Sequence, residues 1–230
     1  MIPTYRACVT SAVPSGLTYW TPRPEDIGEE NFGCFRDTWP LGRVSGSQAR
    51  SVLETERSLV ATADELAADE LEYEQLAAAI EFDDFDALPS RWRQDPVVKE
   101  LELSVVGQCV LGGLELGVAG LANALASVGG CFPAASCRAH QGRSWAPYPV
   151  VVFAADQFRT ERLAPLVIEA GCGFAVDPAR ADLVGIGAAC VTSLMSLAES
   201  VLTSRSAFRQ PREGHRGRRA PHESQLRLDF

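Results

Sequence analysis

From Ser47 to Ile80 apolar residues recur at helical spacing, with Val52, Leu59, Leu66, Leu76 and Ile80 along one side, alanines between them and acids on the other faces. The spacing predicts one long amphipathic helix, or two with a break. EFDDFDALPSRWRQDP ends it in an acidic loop, because Pro89 and Pro96 cannot continue a helix. Downstream, LGGLELGVAGLANALASVGG predicts a second helix through Leu114, Val118, Leu121, Leu125 and Val128, closed by Gly129 and Gly130. The pattern then changes to short apolar runs of strand length, CFPAASC and YPVVVFAAD. The second is nearly all apolar and is expected at the centre of a sheet. RTERLAPLVIEAGCG returns to helical spacing, with Pro165 expected in its first turns and Gly171 at its end. GFAVDP and DLVGIGA read as two more short strands, and CVTSLMSLAESVL as the last helix.

This order of elements predicts an α+β fold, a small mixed or antiparallel sheet with helices on one face. Residues 1 to about 45 are rich in Pro, Gly and Trp and are expected to be irregular, with short strands, pinned by Trp20, Phe32, Phe35 and Trp39. The expected organisation is an N-terminal irregular and acidic helical region (1–98), an α+β core domain (99–204) and a flexible basic tail (205–230). No internal repeat at solenoid periods is present.

Charge sharpens this division. The 230-residue chain carries a net charge of −9. Before Lys99 there are eight arginines against eighteen acidic residues, whereas from Arg205 onward seven arginines face three acids. An acidic front half argues against a nucleic-acid-binding body, and the basic tail allows a weak contact with DNA phosphates. MIPTYRACVTSAVPSGLTYW is broken by Pro3 and Pro14 and does not read as a signal peptide. The apolar stretch 105–128 contains Gln108, Glu115 and Asn123, so it reads as a buried helical region rather than a membrane span. Seven cysteines, an odd number without a framework spacing, are expected to be reduced thiols, which with the preceding points makes the expected location cytoplasmic with no membrane partner.

The candidate chemistry of the body lies in CFPAASCRAHQGRSWAPYPVVVF, where a strand ends at Cys137 and His140 and a polar loop with Arg143 precedes a buried strand. Three readings stand open. Cys137 could be a nucleophile with its pKa lowered by Arg138, His140 or Arg143. Cys131, Cys137 and His140 could supply three metal ligands if the strand bent sharply; their even separation puts the two cysteines on one face only if Pro133 leaves the strand unbroken. Alternatively, Cys137 is a buried strand-end thiol and His140 fixes the loop through a hydrogen bond. The acids of FDDFD, Asp83, Asp84 and Asp86, read as a solvated loop before a cation site, and LVGIGAAC as glycines that permit close packing or as an anion site at a helix start. There is no P-loop, H-E-x-x-H, paired C-x-x-C or G-x-G-x-x-G, so no cofactor is assigned.

Residues 114–155 resemble a pattern of uncharacterised bacterial proteins, in which Ser-Cys-x-Gly-His is followed, after a polar loop, by Pro-Tyr-Val. Ser136, Cys137 and His140 match; Ala139 stands where the pattern has glycine, which argues against a left-handed backbone there. The resemblance implies no reaction. The final hexapeptide QLRLDF resembles the six-residue peptide with which bacterial proteins of DNA metabolism dock on the replicative sliding clamp, matching at Gln225, Leu226, Leu228 and Phe230. It follows a linker interrupted by Pro211, Gly214, Gly217 and Pro221. That resemblance implies a sliding-clamp partner and an accessory role in DNA replication, repair or mobile-element biology. The alternation of Leu226, Leu228 and Phe230 equally suits an edge strand on the protein's own sheet. An enzyme centred on Cys137 and His140, and a structural subunit that packs its acidic helix on a partner, are the alternatives.

Overall fold

The computed structural model describes residues 1–22, 44–140, 144–175 and 181–209. Of the two alternatives for the acidic helix, the broken one is observed: α1 spans Gly46–Leu66 and α2 spans Glu70–Phe82. Ser45 and Gln48 close a reciprocal capping box at the start of α1, and the chain turns extended at Ala67. Asp69 then caps α2 by accepting from the Glu72 amide at 2.9 Å. The buried residues of α1 are Ala49, Leu53, Glu56, Leu59, Val60 and Ala63; Leu59 lies in the core as spacing favoured, whereas Val52 and Leu66 are only partly buried at its edge. Small residues lie inward because α1 packs closely on α5 (Ala119–Ser127), which is buried all round.

Two short helices, α3 (Ser90–Arg93) and α4 (Pro96–Val105), follow the acidic loop. The helix expected from Leu114 shrinks to α5 alone. Gly107, Cys109, Gly112, Gly113 and Gly117 all have positive φ, so residues before Val118 turn rather than coil. Pro165 lies in the interior of α6 (Gln157–Glu169), not in its first turns; Asp156 caps that helix by accepting from the Arg159 amide at 2.8 Å.

The fold is α+β, and its sheet is antiparallel throughout. The strands β1 (Cys131–Cys137), β2 (Val150–Ala155), β3 (Gly173–Ala175) and β4 (Val184–Gly187) are ordered β1-β2-β4-β3, with the apolar β2 internal as expected. Val151, Phe153, Phe174 and Ile186 face the helices, and α7 (Val191–Thr203) completes that layer. One continuous core runs from Ala49 to Phe208, so the acidic α1 packs in the same core as the sheet. The opposite face of the sheet is covered by the N-terminal segment, where Tyr5, Ala7 and Val9 pack over Cys137 and Val150. Thr10 bridges to Phe174 on β3, and the Trp20 indole donates to the Asp182 carbonyl at 2.8 Å. Trp20 thus pins this segment; Phe32, Phe35 and Trp39 lie outside the described residues.

A bulge decides the chemistry of β1. Cys131 pairs with Ala155 and Cys137 with Val150, and the register shifts between Pro133 and Ala135. The extra residue, Ala134, offsets the alternation, so Cys131 points into the helix-side core and Cys137 to the other face. No described helix is long and apolar enough to cross a membrane.

Candidate functional site

Beyond the end of β1 the chain turns sharply. Ala139 adopts φ 68°, a left-handed conformation that its side chain made unexpected. The turn returns His140 toward Cys137. Glu115, from the glycine-rich loop before α5, completes a group in which one ligand atom each from Glu115, Cys137 and His140 lies within 4.8 Å of the other two. His140 Nε2 is 3.5 Å from a Glu115 oxygen, and the other Glu115 oxygen accepts from the Arg138 amide at 2.7 Å. The trio that includes Cys131 is not assembled, because the bulge turns Cys131 away.

Cys137 is fully buried. Its sulfur lies 2.9 Å from the Ser144 hydroxyl and accepts from the Ala139 amide at 3.4 Å. The Ser144 hydroxyl also contacts the Ala146 carbonyl, and either Cys137 or Ser144 can be the donor of the contact between them. A cavity of about 380 Å³ adjoins the group, lined among others by Tyr5, His140, Ser144, Trp145 and Pro147. Trp145 stands at it largely exposed. Arg143 and the tail residues Gln225, Leu226, Leu228 and Phe230 lie outside the described residues.

Behind the group lies a buried charge network. The Arg138 guanidinium donates to Glu81 and Glu74, each at 2.6 Å. Glu81 also accepts from the Leu116 amide at 2.7 Å, and Glu74 accepts from the Tyr5 hydroxyl at 3.4 Å. Burial works against the charge of Arg138, but Glu81 and Glu74 hold its pKa above the ordinary arginine range. Burial pushes Glu81 up to about 7 against the pull of Arg138. Two carboxylates, Glu81 and Glu74, hold the one guanidinium, so its positive charge is spent inside the network rather than on Cys137. A second buried carboxylate, Glu56 on α1, accepts from the amides of Gly117 and Gly120 at 2.9 and 3.0 Å, at the start of α5. Burial pushes it up to about 7 despite these donors.

These two groups set the pH dependence of stability. Unfolded glutamates release their protons near 4.5, whereas folded Glu56 and Glu81 hold theirs to about 7. The folded state therefore binds more protons in that window, and stability falls as pH rises through it. Glu199 acts oppositely: hydrogen bonding from Arg50 lowers its pKa, and its contribution is lost below the ordinary glutamate range. Thermal melts are expected to show the highest midpoint near pH 5 and a decline to pH 8. A midpoint that rises across that interval contradicts the assignment.

Of the site residues named from sequence, the structure brings Cys137 and His140 together. Sequence reasoning missed Glu115, Glu74, Glu81 and Glu56. The available signal for Glu115 was a lone acid inside an apolar glycine-rich run; Glu56 had none, because an acid in a helix reads as its exposed face. The acids of FDDFD do not converge: Asp83 accepts from the Gly107 amide and Asp84 from the Ala87 amide. The glycines before α7 serve close packing, since a Cβ on Gly187 would come within 2.6 Å of the Tyr148 ring. The described cysteines, Cys8, Cys109, Cys131, Cys137, Cys172 and Cys190, are all unpaired. No protein family, curated protein or solved structure matches the chain.

Proposed function

We propose that the protein is a cysteine- or metal-dependent enzyme acting on a small molecule at the Cys137–His140 end of β1. The observation that carries this reading is the convergence of Glu115, Cys137 and His140 beside a cavity of about 380 Å³. That volume falls in the ~300–1,000 Å³ range of small-molecule sites. Trp145 and Pro147 give the cavity an apolar wall, and His140 and Ser144 give it polar groups. Thiol alkylation in the presence of a chelator tests the reading. Burial pushes Cys131 and Cys172 up to about 12, so they serve as slow internal references. Cys137 is expected to react at least tenfold faster than either, once the Ser144 and His140 side chains that separate it from the cavity move aside. Equal rates for the three thiols would show a closed strand end and remove the proposal.

A second reading rests on QLRLDF. The described residues close with Phe208 in the core and Arg209 exposed, and the motif lies beyond them. In this reading Gln225, Leu226, Leu228 and Phe230 dock in the hydrophobic pocket of a sliding clamp, with the arginines near DNA phosphates. The protein is then an accessory factor of DNA replication, repair or mobile-element biology, and the two readings are compatible as address and activity. Burial of two leucines and a phenyl ring, each contributing about 1.5–3 kcal/mol before ordering costs, supports micromolar affinity. Titration against a bacterial sliding clamp is expected to give binding by the intact chain and none after removal of residues 225–230. Indistinguishable titrations would eliminate the motif as the docking element.

A further inference from the structure

The geometry points to Glu115, Cys137 and His140 as the three protein ligands of a zinc-class divalent metal ion. This rests on the site reading above and decides between its two chemistries. In a nucleophilic relay the imidazole stands between its partners and offers one ring nitrogen to the thiol and the other to the acid. Here one atom from each residue lies within 4.8 Å of the other two, so the three donors surround a common point. The Glu115–His140 contact is already 3.5 Å. Tetrahedral zinc, with bonds of about 2.3 Å to sulfur and about 2.0–2.1 Å to nitrogen and oxygen, sets its ligand atoms roughly 3.3–3.6 Å apart. Closing the remaining separations takes about 1 Å of movement by side chains that stand on a loop, a strand end and a turn.

The chemistry of the donors agrees. One thiolate, one imidazole and one carboxylate form a mixed set that suits zinc and excludes calcium and magnesium, which take all-oxygen shells. Outer contacts are in place: the Arg138 amide fixes one Glu115 oxygen and leaves the other for the metal. The Ala139 amide and the Ser144 hydroxyl stand where they can stabilise a Cys137 thiolate. A metal ion would take Cys137 as the thiolate, with its proton released to solvent, and the Ser144 hydroxyl could then donate to the sulfur. Ala139 holds its left-handed turn because that conformation aims His140 back at the strand it has just left. With three protein ligands, and with His140 also lining the cavity, the fourth position opens toward it for water or substrate, unlike a closed structural site.

The test uses the full chain, stripped with a chelator and titrated with zinc and with cobalt(II). Expected are one tightly bound equivalent, a thiolate-to-cobalt charge-transfer band and the intense visible bands of a four-coordinate ion. Glu115→Gln and His140→Ala are each expected to weaken binding by at least about 10- to 100-fold, the loss that even outer-contact variants cause. Cys137→Ser abolishes the charge-transfer band, and Cys131→Ser, on the opposite face of the same strand, leaves every readout unchanged. Absence of a bound equivalent, or a cobalt spectrum without thiolate character in the unaltered chain, overturns the proposal even if Cys137→Ser does not fold. If cobalt binding fails while Cys137 still alkylates faster than Cys131, the site stands and its metal does not; if both fail, neither stands.

Discussion

Arg138→Ala is expected to lower the unfolding free energy by about 3–5 kcal/mol, the penalty for breaking a buried ion pair from one side. The guanidinium is 3% exposed, and the partners it would abandon, Glu81 and Glu74, are 4% and 10% exposed. Neither can recover its hydration without opening the structure. The loss is expected to be greater at pH 8 than at pH 5, because orphaned carboxylates are relieved by protonation at the lower pH. Arg138→Met combined with Glu81→Gln and Glu74→Gln removes the charge of the guanidinium and of both its partners and is expected to restore much of the stability. Urea unfolding at the two pH values measures all of this. A loss below 1 kcal/mol, or one independent of pH, would show that the network is hydrated and does little.

Glu56→Ala should be nearly as damaging, by about 3 kcal/mol or more. The carboxylate holds the Gly117 and Gly120 amides in a fully buried setting, and an orphaned buried donor costs about 1–3 kcal/mol. No water can replace it without a path, since α1 and α5 meet there closely: a Cβ on Gly120 would lie 2.4 Å from a Glu56 oxygen and 2.7 Å from Leu53. Glu56→Gln keeps one of the two acceptors and is expected to lose less than alanine, while removing this residue's share of the decline in stability between pH 5 and 8. Equal destabilisation by alanine and glutamine would mean that the single retained acceptor does nothing for the fold, so that the position needs both carboxylate oxygens.

Much of the fold was legible because its signals are local. Pro89 and Pro96 interrupt helices by covalent geometry, β2 announces burial by an unbroken apolar run, and the strand and helix order excludes most architectures. What stayed hidden depends on contacts distant in sequence. Glu56 and Leu53 belong to one buried stripe, yet only the approach of Gly120, 64 residues later, gives the carboxylate its donors. The bulge at Ala134 is a property of the β1–β2 pair, and without it the alternation of Cys131 and Cys137 counts wrongly. Ala139 shows the opposite failure: local preference opposed a left-handed turn, and tertiary packing imposed one. The candidate site was half legible. Cys137 and His140 are close in the chain, but Glu115 reaches them from the far side of α5 and β1.

The sheet has one more dependence. β3 is an outer strand three residues long, and its free side is occupied by Thr10, whose amide donates to the Phe174 carbonyl at 2.9 Å and whose carbonyl accepts from the Phe174 amide at 2.7 Å. A chain clipped after this segment would present those groups to any neighbouring molecule with a strand to offer. Thr10 therefore closes the hydrogen-bonding edge of β3 at Phe174, and removing the segment that carries it would leave that edge open to strand pairing.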